Sequence, residues 1–250
     1  RKTEVFSSCI CATHYRLEYE LPENPLVSIL VVNNGSGKGL ARLVDSIVKR
    51  TEYDNYEICI ADFGKSSRET QKFLALAEQE PFIQVRRFEE DVTPAAACNQ
   101  MAESVTGEYL VFLEADMEIL DSRWLNRLLM YTMQDDIAVT GSRIIDPGKF
   151  IQEAGYIIGI GADGIAHPVE HGNTFSAPGY IGRMYYAHNV SAVSMWGMMV
   201  EKKAFLENGG FNNKLQGVYY LGIDYSLRQR KAGKQVVLEP YIINETHEPV

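Results

Sequence analysis

Val27 to Val32 (VSILVV) is an unbroken apolar, β-branched run of strand length, the pattern of a strand covered on both faces of a parallel sheet. The polar stretch Asn33-Asn34-Gly35-Ser36-Gly37 ends it. Leu40, Leu43, Val44, Ile47 and Val48 then share one stripe of a helix. The same alternation predicts strands at Tyr56 to Ala61, Ile83 to Phe88 and Tyr109 to Leu113 (YLVFL), with helices at Ser67 to Glu78 and Thr93 to Val105. A helix over Trp124 to Met133, capped by Asp121-Ser122, and a strand over Ile137 to Ile145 follow.

Strands that alternate with helices of about ten residues imply right-handed crossovers, because a parallel pair cannot be closed by a tight turn. The predicted fold is therefore α/β, a mostly parallel sheet flanked by helices. From Asp146 onward Pro147-Gly148 and seven more glycines up to Gly182 break this rhythm into loops and hairpins. Regularity returns at Ala192 to Val200, in helices at Lys202 to Asn208 and Tyr225 to Ala232, and in a strand at Gln235 to Leu238. Two prolines, Pro22 and Pro25, mark residues 1–24 as an extended lead-in to one domain over 25–250. Within it, 25–145 is nucleotide-binding in style and 146–250 is irregular and acceptor-facing.

The balance of 24 basic against 33 acidic residues, a net charge of -9, argues against a nucleic-acid partner, which needs a basic face. Cys9, Cys11, Cys59 and Cys98 contain no pair separated by two residues, so neither a zinc ribbon nor a disulfide framework is indicated, and a reducing compartment is the simpler setting. No apolar run approaches the about 20 residues that cross a bilayer, and the start lacks the apolar centre of a signal peptide. A soluble cytoplasmic protein is expected, with peripheral contact at the inner face of a membrane left open, as is membership of a longer multidomain chain.

In an open parallel sheet, ligands bind beyond the carboxyl ends of the strands. Two strand ends carry carboxylates there: Asp62 after ICIA, and Glu114-Ala115-Asp116 after YLVFL. Carboxylates separated by one residue at such a mouth can share a hard cation with diphosphate oxygens.

Tyr15-Arg16-Leu17, Pro25 to Ile29, Tyr56 to Asp62, Asn99, and Gly107 to Leu113 with Glu114, Asp116 and Glu118 occur in an order that resembles a known family. Gly179 to Arg183, Ser191 to Ser194, Gly209-Gly210-Phe211, Asp224 to Arg228 and His247 continue the series. Over about residues 15 to 250 the chain resembles a family 2 glycosyltransferase of the GT-A fold, in particular the bacterial type tied to rhamnose-containing cell-surface polysaccharides. The resemblance implies an inverting, metal-dependent enzyme that moves a sugar from a UDP- or dTDP-linked donor to a glycan or lipid-linked glycan acceptor. It implies a base contact from Asp62, donor contacts from Asn99, Glu114 and Asp116, and Mn2+ or Mg2+ held by Asp116, Glu114 and His247. It also implies a carboxylate that deprotonates the acceptor. Leu221-Gly222 stands where the family commonly has Glu-Asp, so Asp224 is the candidate base. Phe63-Gly64-Lys65 and Asn212-Asn213 also depart from the pattern. The alternative is a degenerate GT-A domain that binds a nucleotide or glycan, or scaffolds a larger synthase, without turnover.

Other local patterns are weaker. Gly159-Ile160-Gly161-Ala162-Asp163-Gly164 fits the dinucleotide fingerprint, but Pro168 follows too soon for the helix that must hold a pyrophosphate. His167-Pro168-Val169-Glu170-His171 spells an inverted zinc-protease motif in a context that cannot be a helix. Gly35 to Gly39 lacks phosphate-loop spacing. Tyr185, Tyr186 and Trp196 could stack on a sugar, and are more simply core or half-buried rings.

Overall fold

A computed structural model describes residues 2–7, 13–33, 37–160, 164–215 and 217–247. In the first half the apolar runs become β3 (Val27–Asn33), β4 (Tyr56–Asp62), β5 (Ile83–Arg87) and β6 (Tyr109–Glu114), preceded by β1 (Thr3–Ser7) and β2 (Tyr15–Tyr19). Between them lie α1 (Leu40–Arg50), α2 (Arg68–Ala77) and α3 (Pro94–Ser104). Ser67 and Thr93 cap α2 and α3 through hydroxyls that accept from Thr70 N and Ala96 N. β7 (Met117–Ile119), α4 (Trp124–Thr132) and β8 (Ile137–Ile145) complete this half.

The second half holds β9 (Ile151–Glu153), β10 (Tyr156–Ile158), β11 (Ala166–Pro168), a 3-10 turn (Tyr180–Tyr185), β12 (His188–Asn189), β13 (Met198–Glu201), α5 (Lys202–Glu207), α6 (Tyr219–Lys231) and β14 (Gln235–Thr246). One sheet runs β12-β14-β8-β13-β6-β3-β4-β5, with β7 paired to β14 and β9 to β8. β3 lies parallel between β4 and β6, and β4 parallel to β5. β13 is the exception at the centre, antiparallel to both β6 and β8.

Every residue of β3 is buried, as its unbroken apolar run requires. Phe112 anchors the core from β6, with ring centroids 4.8 Å from Phe211 and 5.3 Å from Phe205. Those two partners bracket the Gly209-Gly210 turn after α5, so the core itself positions that turn.

Four elements differ from the sequence pattern. The lead-in is no single extended segment: β1 and β2 pair antiparallel, Thr3 opposite Tyr19. Of the run 192–200 only Met198 to Val200 is strand, within a strand that ends at Glu201, and Gly197 takes a positive φ of 71° just before it. α6 begins at Tyr219 instead of Tyr225. β14 runs to Thr246, well past Leu238, through polar residues buried against β8 and β7. Cys59 and Cys98 are free and buried, whereas Cys9 and Cys11 lie outside the described residues.

Candidate functional site

β4, β3 and β6 end side by side, and their registers place Asp62 beside Asn33 and Glu114 beside Val32. Asp62 and Glu114 are thus two strand spacings apart, roughly 10 Å. Alternation puts them on opposite sheet faces, since Asn33 and Val32 are successive.

Asp62 is only 2% exposed. Its Oδ1 accepts from Asn33 Nδ2 at 3.1 Å and from Ser66 Oγ at 2.6 Å, and its Oδ2 accepts from Gln71 Nε2 at 3.0 Å. Three neutral donors hold the charge without a cation, leaving about one of the carboxylate's four acceptor positions. The nitrogen of Asn33 also donates to Ser66 Oγ, at 2.7 Å. Asn33 Oδ1 is left buried with no partner.

The β3 ladder extends one bond past Glu114, with Ala115 N donating to Val32 O at 3.0 Å, before the chain turns through Asp116 into β7. α1 starts against this turn, and a Cβ on Gly39 would stand 2.3 Å from Asp116 Oδ1. Close approach of helix and motif therefore requires glycine here. His247 N donates to Asp116 O at 3.2 Å, which ties the end of β14 to the same turn.

The ring of His247 faces elsewhere. Its Nε2 lies 3.2 Å from Glu245 Oε1 and 3.7 Å from Glu118 Oε2. β7 and β14 pair antiparallel with Glu118 directly opposite Glu245, a juxtaposition of like charge that needs compensation. Arg50 supplies it to Glu118 at 2.9 Å, Arg42 approaches Glu118 at 3.8 Å, and Lys149 bonds Glu245. Among the described residues, Glu118, Glu245 and His247 form the one group of three whose ligand atoms lie within 4.8 Å of one another. The resemblance groups His247 with Glu114 and Asp116; the ring lies against Glu118 and Glu245, and the backbone N–H bonds Asp116 O.

Asn99 and Asp224 turn out to be occupied by the fold. Asn99 Nδ2 donates to Phe211 O at 2.9 Å, and its Oδ1 accepts from Phe211 N at 2.8 Å, so this amide clamps the turn after Gly210. Arg228 donates to Asp224 Oδ2 at 2.9 Å, while its other nitrogens bond Asn208 O and Gly210 O, the carbonyls that end α5. Asp224 thus orients the arginine that caps α5, a structural reason for a carboxylate at this i,i+4 spacing. Gly222 cannot be replaced by a base in place, because a Cβ would meet Met195 N at 2.2 Å and Val193 O at 2.6 Å.

Between the start of α3 and the loop before α6 opens a cavity of about 560 Å³, walled by Thr93, Ala95, Asn213, Lys214, Val218 and Leu221 among others. Its floor is on the carboxyl side of the sheet, since α3 begins where the chain returns from β5. Nothing in the sequence flagged Lys214, Glu118 with Glu245, or the cation trio around them, because each depends on pairings far apart in the chain.

The other local patterns resolve against chemistry. β10 and β11 form an antiparallel hairpin across Gly159 to Gly164, so no helix follows Gly164. Gly161 to Asp163 of that pattern, and Asn34 to Ser36 of the glycine stretch before α1, lie outside the described residues. His167 sits on β11 and His171 Nδ1 contacts Gln152 O at 2.9 Å, with the pair on no common helix. Tyr185 and Tyr186 are half-buried and Trp196 is buried.

The family model described as Glycosyl transferase family 2 matches residues 27–196. The uncharacterised protein y4gI of Sinorhizobium fredii is 27% identical over 241 residues, 94% of this chain and 26% of that protein. The O-antigen biosynthesis protein RfbC of Myxococcus xanthus is 28% identical over 228 residues, 89% of this chain and 17% of that protein. The chain therefore spans about a quarter or less of the curated relatives it matches. In structure it resembles GalNAc-T7, solved with UDP, GalNAc and Mn2+, with a TM-score of 0.72 at 16% identity over 94% of this chain and 46% of that one. It also resembles the mannosyltransferase PcManGT of Pyrobaculum calidifontis, solved with GDP-Man and Mn2+, with a TM-score of 0.60 at 14% identity over 92% of this chain and 58% of that one. Both likenesses are of fold: a mixed α/β domain around a central sheet, the GT-A architecture.

Proposed function

This chain belongs to glycosyl transferase family 2, and from that premise we propose that it moves a sugar from a UDP- or dTDP-linked donor by single displacement with inversion. The acceptor is a glycan or lipid-linked glycan of a cell-surface polysaccharide under construction at the inner membrane face. The name of the RfbC relative, O-antigen biosynthesis, supports that setting. Among the described residues no helix is long and apolar enough to cross a membrane.

One observation carries the donor reading: Asp62, Glu114 and Asp116 stand on the same carboxyl edge of three neighbouring strands. Asp62, held by three neutral donors, keeps an acceptor position for a ring N–H of uracil or thymine. Asp116 and Glu114 face the diphosphate with the cation. Two carboxylates and an imidazole at 118, 245 and 247 fit Mn2+ or Mg2+, and the imidazole leans toward Mn2+. The His247 ring would hold the ion with Glu118 and Glu245, and Asp116, whose carbonyl is bonded by His247 N, stands at the adjoining turn. When bound, the cation offsets charge on the departing diphosphate.

A second reading, a binding module without turnover, has the packed Gly222 and the engaged Asp224 behind it. The two separate in one assay: nucleoside diphosphate release from a panel of UDP- and dTDP-sugars with manganese. Release that falls on the order of 100-fold in Asp116→Ala, and stops on chelation, is the expected result. Undiminished release in that variant would remove Asp116 from the site.

A further inference from the structure

A hydroxyl that attacks the donor sugar must lose its proton, and on α6 no side chain is free to take it. Asp224 is bound to Arg228 at 2.9 Å, and position 222 is closed by the backbone of 193–195. Another carboxyl stands behind that backbone. Glu153 on β9 lies opposite Ile144 at the carboxyl end of β8, and β8 runs parallel to β6 because β13 opposes both. Glu153 is 3% exposed, and its Oε2 is buried with no partner among the described residues, a costly state for a carboxylate oxygen.

Ser194 reaches the same edge from β13. Gly197 N donates to Phe112 O at 2.7 Å, so the residues before Gly197 run past the end of β6. The Ser194 hydroxyl bonds the Glu153 carboxyl, while Ser194 Oγ accepts from Trp196 N at 3.1 Å and keeps a second lone pair. Tyr156, whose hydroxyl also bears on Glu153, shares a buried cluster with Ile223 of α6. Gly222 packs so closely that a Cβ there would stand 2.5 Å from Ser194 C, and its neighbour Leu221 lines the cavity beside α3. Ser194 therefore stands just behind the cavity wall, with Glu153 behind it.

Resting on the donor reading above, we propose that Glu153 receives the proton of the glycan acceptor through Ser194. The acceptor hydroxyl gives its proton to Ser194 Oγ as the proton of Ser194 passes to Glu153. The acceptor oxygen bonds the anomeric carbon, the bond from that carbon to the diphosphate oxygen breaks, and its electron pair leaves with the nucleoside diphosphate. The carboxyl ends neutral, the form that burial favours. Burial also pushes the Glu153 carboxyl up, against the pull of the Ser194 and Tyr156 hydroxyls and of His171, the direction that makes a carboxylate a better proton acceptor.

The assay is nucleoside diphosphate release with manganese, the donor panel, and methyl glucoside, methyl galactoside and methyl rhamnoside as acceptors. Glu153→Gln, which keeps the shape of the side chain, lowers kcat on the order of 100-fold with the donor KM unchanged. In the unsubstituted protein kcat rises with pH along one ionisation above the ordinary carboxylate range, and the residual rate of Glu153→Gln lacks that limb. Ser194→Ala loses a similar factor, and Ser194→Thr, which keeps a hydroxyl, restores most of it. An unchanged kcat in Glu153→Gln or Ser194→Ala, or a pH limb that survives in Glu153→Gln, overturns the proposal and leaves the donor reading standing. If the unsubstituted protein releases nothing while UDP or dTDP raises its Tm, the relay falls and nucleotide binding stands. If no nucleotide raises Tm, both fall.

Discussion

Residues 25–145 and residues 146–193 are held in different ways. The first stretch is a ladder of parallel strands whose apolar side chains interdigitate, so each residue is secured by many small contacts. The second has fewer apolar anchors, among them Ile151, Ala154, Tyr156 and Met184, and its turns are held by single polar tethers. Glu170, at a φ of 57°, accepts from Tyr180 N, from Arg183 and from Asn173 Nδ2; Arg143 donates to Phe175 O; Tyr241 OH donates to Tyr185 O. The first stretch is thus rigid by bulk, whereas the turns of the second are rigid only while a few named bonds persist.

The largest test of that contrast is Phe112→Ala. Removing the ring that touches Phe205 and Phe211 should lower global stability by about 3–5 kcal/mol, read from denaturant midpoints. Loss well under 1 kcal/mol would mean that the core does not unite the two halves.

Next comes a pH effect at the seam between sheet and lead-in. Burial pushes the Glu239 carboxyl up to about 7, against the pull of Tyr241 N, Arg127 and Arg16. A carboxyl raised in the folded state stabilises fully below its unfolded value of 4.5, and that contribution is lost as pH rises through about 7. Stability should therefore decline across this window by on the order of 3 kcal/mol, and Glu239→Gln should flatten the slope. An identical slope in the variant would assign the change to other groups.

The smallest expected effect is local. Glu170→Ala should cost about 1–3 kcal/mol of opening free energy around residues 170–185, seen as faster amide exchange there, with Tm nearly unchanged. A large global loss would contradict the tether description.

Much of this was legible in the sequence. Strands such as VSILVV and YLVFL and the stripe from Leu40 to Val48 declare themselves because burial on a strand or helix imposes a short period. The strand-end positions of Asp62 and Asp116 are legible for the same reason, since those runs stop there. What stayed hidden depends on pairing across the chain. The place of β13 between β6 and β8 has no local signature, and β14 was cut short at Leu238 because Glu239, Asn244 and Glu245 are polar yet buried. With β14 truncated, the meeting of Glu245 and Glu118 could not be foreseen. α6 was started late because Gly222 discourages a helix, although tight packing on 193–195 is what a glycine there allows.

The antiparallel strand β13 also governs how the molecule is made. It lies beside β6 with Met198 opposite Phe112, yet it is synthesised long after β6, so on the ribosome the emerging first half presents an open strand edge. Loop-closure entropy must be met before that edge is covered, so the pairing of β13 with β6 is a late, non-local step of folding.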